Sequence, residues 1–320
     1  MSLIKKIKAH PVHKKVSVKA PATVANLVCG FDVLGMAVNE PYDELTIYYK
    51  EEPGITIENF GSSNLPTEPE KNVSGASLLA MMDELDIHFG FHIEVHKKIK
   101  PGSGLGSSAA SSAASVVAAN HLLGNPFQPA DLVRFAMHGE KAASGVKHAD
   151  NVTPCIYGGV TLIRSVFPLD IVRLPAPDLL VTIVHPQVEV RTSDARQVLK
   201  QQVLLKNAIK QWGNISGVVA GLITHDYKLL GRSLEDFIVE PARSVLIPGF
   251  ATIKKQCLEA GALGGGISGS GPSIFMFSET KEIANAVRGI MESEYARLGV
   301  ECNTYVTGVH ANGVEVVGEE

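Results

Sequence analysis

One segment constrains the fold more than any other part of the chain: Lys98–Ser115, which has the sequence KIKPGSGLGSSAASSAAS. A predicted strand ends at Pro101, glycines follow at 102, 104 and 106, and a run of serine and alanine then predicts a closely packed helix. Glycine permits positive φ angles and close approach of the backbone to a ligand, and a helix N-terminus offers unpaired N–H groups and the positive end of a dipole. The segment therefore predicts a strand–loop–helix unit that binds phosphate.

Two common phosphate-binding loops do not match this segment. A P-loop requires a Gly-Lys-Ser/Thr ending, and no lysine lies inside the loop. A Rossmann fingerprint requires a third glycine where Ser107 stands and an acidic residue about 20 positions later. Residues 120–130 contain no acidic residue. A mobile Gly/Ser linker remains an alternative, although glycines at alternate positions that lead directly into a helix are unusual for a linker.

Length and charge limit the class of protein. The 320 residues are 45% hydrophobic, which is enough for a large core, and the length suggests two domains or one large one. The net charge of −4 argues against a nucleic-acid-binding face. The basic segment 5–19 lacks the apolar core of a signal peptide, and the uncharged stretch 101–130 is too polar to span a membrane. We expect a soluble, cytoplasmic protein with neither nucleic-acid nor membrane partners.

The four cysteines do not predict a metal or disulfide framework. They lie far apart in the sequence and form no CxxC pair, so reduced thiols are the simplest interpretation. They are Cys29, Cys155, Cys257 and Cys302.

Strand-like and helix-like windows alternate along the chain, which predicts a mixed α and β protein. A proline-rich break at residues 165–178 predicts a boundary between domains 1–167 and 168–320. Predicted strands are Val16–Ala20, Glu44–Lys50, Ile55–Glu58, Phe91–Ile99, Leu179–Val184 and Ser273–Phe277. Predicted helices are Val73–Leu85, Ser107–Leu123, Pro129–Ala143, Asp194–Lys206, Ile215–Thr224, Phe250–Glu259 and Lys281–Arg297.

The sequence from Pro101 to Ala109, PGSGLGSSA, resembles the second motif of the GHMP kinases, a family of small-molecule kinases. The resemblance implies an α+β fold of two domains, ribosomal-protein-like at the N-terminus and ferredoxin-like at the C-terminus. It also implies ATP as phosphate donor and Mg²⁺ held by Ser108 and Glu140, and it gives Asn72 a role in seating the base and ribose. The implied phosphate-binding segment consists of Pro101, Gly102, Ser103, Gly104, Leu105, Gly106, Ser107, Ser108 and Ala109. A simple helix cap is the alternative for Ser107 or Ser108.

The segment Ala20–Gly35, APATVANLVCGFDVLG, resembles the first motif of the homoserine-phosphorylating members of that family. Their galactose- and mevalonate-phosphorylating relatives have a Gly-Glu-His-like sequence that is absent here. The resemblance makes Asn26 and Asp32 site residues, although Asx turn capping alone would also explain them. Val28 replaces a family glycine, and a β-branched residue is costly at positive φ.

Two further segments extend the resemblance. Residues 261–277, GALGGGISGSGPSIFMF, resemble the third motif, which closes over phosphates and substrate and includes Gly269; a flexible hinge is the alternative. The sequence HADN at 148–151 resembles the family's His-Pro-Asp-Asn and makes His148 a site residue. Where mevalonate kinase has an aspartate proposed as base, this chain has Asn151, and an amide cannot take a proton at neutral pH. Positioning must then carry more of the rate.

An amino-acid substrate needs a cation for its carboxylate and an acid for its ammonium group. The stretches RTSDARQ and EPARSVLIPGF, which contain Arg196 and Arg243, resemble the homoserine-phosphorylating members and not the galactose-phosphorylating ones. Both arginines can bind a carboxylate by planar two-point hydrogen bonds, and Thr192 precedes Arg196 by one helical turn. Either arginine alone would more often be a solvated salt-bridge partner. We expect Asp32 to bind the ammonium group, and Asn26 and Asn151 to bind the hydroxyl end.

These residues predict transfer of phosphate from ATP to the side-chain hydroxyl of L-homoserine, which gives O-phospho-L-homoserine for threonine biosynthesis. The alternatives are another GHMP kinase, acting on mevalonate or phosphomevalonate, and a catalytically silent ATP-binding protein on the same fold. The sequence leaves a homodimer possible.

Overall fold

The computed structural model describes residues 6–61, 65–190 and 192–320, with residues 192 and 193 described by their backbone alone. The strands are β1 (Ile7–Lys8), β2 (Lys15–Ala25), β3 (Leu34–Lys50), β4 (Gly54–Phe60), β5 (Leu85–Asp86), β6 (Gly90–His96), β7 (Val160–Val166), β8 (Leu169–Leu174), β9 (Leu180–Pro186), β10 (Gly264–Ile267), β11 (Ile274–Ser278), β12 (Cys302–Gly308) and β13 (Glu315–Glu319). The helices are α1 (Val73–Met82), α2 (Ser107–Leu122), α3 (Pro129–Ser144), α4 (Val152–Tyr157), α5 (Thr192–Gln197), α6 (Leu205–Thr224), α7 (Tyr227–Ser233), α8 (Glu240–Arg243), α9 (Phe250–Glu259) and α10 (Lys281–Arg297), with a 3₁₀ turn at Ser244–Leu246.

The larger sheet has seven strands. The order β13-β2-β3-β6-β4 forms its main path, and β3 also pairs with β7, which pairs with β8. All pairs are antiparallel except β4 with β6. The last strand, β13, pairs with β2, which lies near the start of the chain, and Glu315 lies opposite Lys19. The two ends of the chain therefore complete one sheet.

Helix α2 lies at the centre of the molecule, packed against α1, α3, α4, β2 and β3. Its alanines at 109, 110, 113 and 114 are fully buried, because small side chains let neighbours approach on every side. Serine hydroxyls also join α2 to α1. Ser115 Oγ of α2 donates to the Ser74 carbonyl at 3.3 Å, and Ser74 Oγ of α1 donates to the Ser111 carbonyl at 3.1 Å. Burial of the whole helix fixes the loop that precedes it.

The smaller sheet has the antiparallel order β10-β11-β9-β12. Side chains of β11 alternate between two clusters, as the period of a strand requires. Ile274 and Met276 pack with Met291 and other residues of α9 and α10. Phe275 and Phe277 join the core of the larger sheet. Both faces of the smaller sheet are thus covered, and the α+β class is confirmed.

Several predicted elements match the structure, and one is wrong. Helices α9 and α10 have the predicted bounds. The predicted helix Asp194–Lys206 does not form as one element, since α5 ends at Gln197 and α6 begins at Leu205. Residues 200–204, between the two helices, are all exposed, so no packing supports a helix there. No described helix is long and apolar enough to cross a membrane.

The sequence did not predict β7, β8, β12 or β13. Strands β7 and β8 form a hairpin whose turn is residues 167 and 168. The predicted domain division therefore falls between two paired strands of the larger sheet. The two-domain division with that boundary stays a prediction.

Candidate active site

The three glycine-containing motifs meet at the loop before α2. The Thr23 backbone N–H donates to the Leu105 carbonyl at 3.1 Å, which joins the first motif to the second. Ser268 Oγ donates to the Gly104 carbonyl at 2.7 Å, which joins the third motif to the second. The Ser273 N–H also donates to the Ser103 carbonyl at 3.3 Å. Segments that are far apart in the sequence thus form one site.

The loop needs its glycines. Gly102, Gly104 and Gly106 have φ angles of 75°, 78° and 68°, in the left-handed region that favours glycine. A Cβ on Gly104 would lie only 2.6 Å from the carbonyl oxygens of Ser268 and Gly271. Gly106 is the N-cap of α2 and provides no side chain to cap it. No side chain at the N-cap therefore bonds to the first-turn N–H groups of α2, which an anion site requires, and phosphate binding there stays a prediction.

A cavity of about 330 Å³ opens at this helix end, within the size range of small-molecule sites. Fourteen of the predicted site residues line it: Asn26, Asp32, Pro101, Gly102, Gly104, Gly106, Ser107, Ser108, Glu140, His148, Asn151, Arg196, Arg243 and Gly269.

The other predicted residues do not line this cavity. Ser103, Leu105 and Ala109 are buried, because loop and helix turn their side chains into the core. Asn72 is the N-cap of α1: its Oδ1 accepts from the Ser74 N–H at 2.9 Å, and its Nδ2 donates to the Pro66 carbonyl at 2.7 Å. The side chain of Thr192 lies outside the described part of the chain. Nucleotide and substrate roles for these residues stay predictions.

Glu140 on α3 matches the requirements of a metal ligand. The residue is buried, and its Oε1 atom has no hydrogen-bond partner among the described residues. Burial raises the pKa of Glu140 to about 7, while a hydrogen bond with Ser108 and the charge of Lys97 act in the opposite direction. A buried carboxylate with an unpaired oxygen beside a serine hydroxyl is the oxygen donor set that Mg²⁺ prefers. The residues present therefore fit the implied ion.

The two loop serines differ in their contacts. Ser107 Oγ donates to the Ile99 carbonyl at 2.8 Å, so this hydroxyl ties α2 to the preceding strand segment. Ser108 instead lines the cavity close to Glu140, where it favours the ionised carboxylate and so acts to lower the pKa of Glu140. The structure thus gives Ser107 a structural bond and places Ser108 beside the candidate metal ligand.

Lys97 is a cavity residue that sequence reasoning missed. Its ammonium group is buried in an ion pair with the buried Asp43 and donates to the Ser107 carbonyl at 2.8 Å and to Ser111 Oγ at 3.0 Å. Asp43 Oδ1 also accepts from the Lys98 and Ile99 N–H groups at 2.8 Å each. Desolvation lowers the pKa of Lys97, although Asp43 opposes the shift. The only sequence signal was a lysine at the end of a predicted strand.

Arg196 and Asp32 lie together on one side of the cavity. Arg196 Nη2 donates to Asp32 Oδ1 and Oδ2 at 3.0 and 2.9 Å, and lies 3.1 Å from His148 Nδ1. Desolvation and the charge of Arg196 lower the pKa of His148, so the imidazole is held neutral. Three of the residues predicted to bind substrate, Arg196, Asp32 and His148, therefore contact one another.

Arg243 is almost completely buried at the same end of the cavity. Its Nε donates to the Ala195 carbonyl at 2.8 Å, and its Nη1 donates to the Gly269 carbonyl at 3.0 Å. The ring of Phe31, another residue that sequence reasoning missed, lies 4.9 Å from the Arg243 guanidinium carbon and 5.6 Å from that of Arg196. Cation–π contacts thus place both guanidinium groups beside one aromatic ring.

The first motif forms a turn with unusual backbone angles. Asn26 and Val28 have φ angles of 74° and 67°. The amide of Asn26 stabilises the turn, because Nδ2 donates to the Gly269 carbonyl at 2.9 Å and Oδ1 accepts from the Asp32 N–H at 3.1 Å. Val28 therefore adopts the left-handed region although it is β-branched, and the turn keeps positive φ without the family glycine.

Asn151 and Asp150 lie side by side at the cavity wall. Thr23 Oγ1 donates to Asn151 Oδ1 at 2.8 Å, so the amide can offer its Nδ2 donor to the cavity. Asp150 was not singled out from the sequence, although it lies inside the HADN segment. Burial, followed by the charges of Asp32 and Glu140, raises the pKa of Asp150 to about 7.

Family comparisons agree with the fold. Residues 72–159 match the family "GHMP kinases N terminal domain", and residues 218–297 match "GHMP kinases C terminal". A mevalonate kinase from L. major, solved with R-mevalonate, shares the fold with a TM-score of 0.71 at 16% identity, over 95% of this chain and 99% of that one. The resemblance seen in the three motifs is confirmed: the molecule is a GHMP kinase, a class that uses ATP as phosphate donor.

Relatives of higher identity show to which family within the GHMP kinases the chain belongs. A homoserine kinase of Chlorobium phaeobacteroides (strain BS1) is 44% identical over 95% of this chain and 100% of its own length. A homoserine kinase of Methanocella arvoryzae is 36% identical over 95% of this chain and 98% of its own length. A crystal structure of homoserine kinase from Cytophaga hutchinsonii superposes with a TM-score of 0.92 at 49% identity, over 96% of this chain and 99% of that one. The chain belongs to the homoserine kinase family.

Proposed function

We propose that this protein transfers the γ-phosphoryl group of ATP to the side-chain hydroxyl of L-homoserine and releases O-phospho-L-homoserine, a step of threonine biosynthesis. The observation that carries the proposal is the pairing of an anion-binding loop with two guanidinium groups and an acid across one cavity. The loop accounts for a phosphate donor, and the charged groups account for an acceptor that carries both a carboxylate and an ammonium group. The enzyme acts in the cytoplasm; a homodimer stays a prediction.

The phosphate end of the cavity binds the nucleotide. Backbone N–H groups of the 101–109 segment and the first turn of α2 hold the phosphates by hydrogen bonds and the helix dipole. Lys97 does not replace a P-loop lysine, because Asp43 already pairs with it. Its part is to fix the start of α2 through the Ser107 carbonyl.

Ser108 and Glu140 are the residues that would hold Mg²⁺. When bound, the ion neutralises charge on the phosphate oxygens during transfer. Glu140 is available for this role because its Oε1 lacks another partner among the described residues. A divalent cation also compensates the cost of burying an ionised carboxylate, which the raised pKa of Glu140 reflects.

The acceptor end of the cavity orients the zwitterion. The substrate carboxylate binds Arg196 and Arg243, and its ammonium group binds Asp32, so both charges of the internal Arg196–Asp32 pair are exchanged for charges of the ligand. One ion pair inside the protein is thereby replaced by two between protein and ligand, and the two arginines share the substrate carboxylate. The ring of Phe31 positions the two arginines for this exchange. The Gly269 carbonyl accepts hydrogen bonds from Arg243 and Asn26 and so fixes both side chains.

The acceptor hydroxyl lies at Asn151 and Asn26. Asn151 orients the hydroxyl oxygen by donating from Nδ2, since its Oδ1 is occupied by Thr23. In the transfer, the hydroxyl oxygen bonds to the γ-phosphorus, the bond from that phosphorus to the bridging oxygen of ADP breaks, and the hydroxyl proton passes to solvent water. An amide cannot accept that proton, so alignment of the reactants carries much of the rate.

An ADP-release assay over a panel of alcohols tests the proposal. We expect turnover of L-homoserine far above that of mevalonate, phosphomevalonate or galactose at equal ATP. Equal or greater turnover of mevalonate would overturn the substrate, and ATP binding without turnover of any alcohol would favour a silent nucleotide-binding protein.

A further inference from the structure

A group of metal-ligating side chains lies outside the active site, where both ends of the chain meet the last turn of α2. It consists of His13, which precedes β2, His121 in α2, and Glu319 in β13. One ligand atom from each residue lies within 4.8 Å of the other two. No step of the kinase reaction uses these residues. We propose that they form a binding site for a transition-metal dication of the zinc type, which joins the two ends of the chain to α2.

The geometry of the two imidazole rings supports a shared ligand. The rings stack with centroids 5.2 Å apart and an angle of 4° between their planes. His121 Nε2 lies 2.5 Å from Glu319 Oε2, whereas His13 Nε2 lies 3.7 Å from the same oxygen. The second distance exceeds a hydrogen bond. An ordinary ion pair therefore explains His121 but leaves the ring nitrogen of His13 beside the carboxylate without a bond to it.

The distances suit a tetrahedral ion. Zinc binds imidazole nitrogen and carboxylate oxygen at about 2.0–2.2 Å, so two ligand atoms of a tetrahedral site lie about 3.3–3.5 Å apart. The separations of 2.5 and 3.7 Å lie on either side of that value. All three side chains are partly exposed, with exposed fractions of 25%, 27% and 50%, so small rotations are open to them. Two histidines and one carboxylate leave a fourth position for water.

The backbone holds the three ligands in place before any ion binds. The Val12 N–H donates to the Leu122 carbonyl at 2.8 Å, which fixes the segment of His13 against the end of α2. The Glu320 N–H donates to the Lys15 carbonyl at 3.0 Å, which fixes the strand of Glu319 beside the same segment. Because the three ligand side chains are already close together, they lose little conformational entropy when an ion binds.

The local electrostatics favour a cation. His121 lies in the last turn of α2, where the helix dipole is negative. The site is also remote from catalysis, because His121 lies 14 positions after Ser107, which corresponds to about 21 Å along the helix. Its role is therefore to stabilise the fold.

A second His/carboxylate group provides a matched control. Glu58, His92 and Glu94 also lie within reach of one another. There, however, Tyr48 Oη donates to Glu94 Oε2 at 2.9 Å, and Thr56 Oγ1 lies 2.9 Å from His92 Nδ1. These contacts already use ligand atoms of that group. His92→Ala thus removes a histidine from a comparable surface without touching the proposed site.

Calorimetric titration of the full-length, tag-free protein with ZnCl₂ tests the site, with Mg²⁺ in excess to saturate oxygen-donor sites. We expect one zinc ion per chain and a zinc-dependent rise in melting temperature. Loss of a residue that hydrogen-bonds to a metal ligand weakens metal affinity by about 10- to 100-fold. Loss of a ligand itself, in His121→Ala or Glu319→Gln, should therefore weaken zinc binding by at least that factor. His92→Ala should bind zinc as the parent does.

Glu319→Gln keeps the result interpretable if the histidine variant unfolds, because this side chain is half-exposed and its replacement is isosteric. Circular dichroism confirms the fold, and homoserine turnover should change less than twofold in every variant. Unchanged zinc affinity in folded Glu319→Gln and His121→Ala would overturn the proposal, and so would loss of the zinc effect in His92→Ala. Failure of the homoserine assay alone would contradict the proposed function and leave the zinc site intact.

Discussion

Arg196 and Asp32, two residues expected to bind opposite charges of one substrate, bind each other: Arg196 Nη2 lies 2.9 Å from Asp32 Oδ2. The pair is partly exposed, with exposed side-chain fractions of 35% and 38%, so solvent screens it and it costs little to open. A zwitterion can replace both partners at once. In the proposed binding mode, a ligand with only one charge would leave the other member of the pair unmatched, so we expect the pair to favour an amino acid.

The first prediction concerns this pair. Arg196→Lys keeps the charge but loses planar two-point binding, so kcat/KM for homoserine should fall by about 30-fold, equivalent to roughly 2 kcal/mol. The KM for ATP should stay within about twofold, because the phosphates bind the separate 101–109 segment. Steady-state kinetics with 4-hydroxybutyrate, which lacks the ammonium group, and 3-aminopropan-1-ol, which lacks the carboxylate, give the comparison. If the KM for ATP rises as much as that for homoserine, Arg196 serves the nucleotide or the fold.

The second prediction separates the two arginines. Arg243 is buried and donates to two backbone carbonyls, those of Ala195 and Gly269. Arg243→Lys should therefore lose homoserine binding and also lower stability by roughly 1–3 kcal/mol, since a buried carbonyl loses its donor. Thermal melts beside Arg196→Lys provide the matched control. Equal melting temperatures for the two variants would contradict this structural role of Arg243.

The third prediction uses the adjacent serines. Ser108→Ala should lower kcat and raise the Mg²⁺ concentration needed for half-maximal rate, because Ser108 lies beside Glu140. Ser107→Ala removes only the bond to the Ile99 carbonyl, so it should cost about 1 kcal/mol of stability and leave the Mg²⁺ requirement unchanged. Rates measured over a Mg²⁺ series distinguish the two. An equal shift in both variants would show that Ser108 is not a metal ligand.

The fourth prediction concerns pH. The pKa of Glu140 is about 7 in the folded protein, against an ordinary value of 4.5. At a pH between these two values, the folded state therefore retains a proton that the unfolded state has released. Without nucleotide, the free energy of unfolding should fall by about 3 kcal/mol from this group as pH rises from 4.5 past 7. Glu140→Gln should abolish most turnover and reduce this slope, while Asp150 keeps part of it.

Urea unfolding at pH 5, 6, 7 and 8 measures that slope in both proteins. Addition of Mg²⁺ and ATP should reduce the loss in the parent, because a bound cation stabilises the ionised carboxylate, and should do so less in Glu140→Gln. Identical pH slopes for parent and variant would contradict the raised pKa.

The fifth prediction concerns Lys97. Lys97→Met leaves Asp43 buried without its cation and should cost about 3–5 kcal/mol. The double variant Lys97→Met with Asp43→Asn should recover part of this loss, since no charge is then left unpaired, whereas the Lys98 and Ile99 N–H groups keep an acceptor. A double-mutant cycle by urea unfolding measures the recovery. Full additivity of the two single changes would show that the pair is not coupled.

Much of the site could be predicted because its parts are local. The 101–109 segment combines glycines, a helix start and two serines within a few residues, so positive φ and an exposed helix N-terminus follow from the sequence. The helices α9 and α10 were likewise predicted with their bounds, because each carries its own apolar periodicity. Arg196 and Arg243 were found through resemblance, because residue type alone does not separate a ligand arginine from a solvated one.

Other features depend on contacts between distant segments, and no local pattern encodes them. Lys97 becomes a buried partner of Asp43 only when β3 pairs with β6, and Phe31 lies beside both arginines only when the chain closes around the cavity. Residues 198–204 carry helix-forming side chains but lack a core to pack against, so the predicted helix was interrupted. The sequence by itself determined the phosphate loop and the family of the chain. Tertiary structure decided which charges meet, because burial and pairing set their energies and neither exists until the sheets and helices pack.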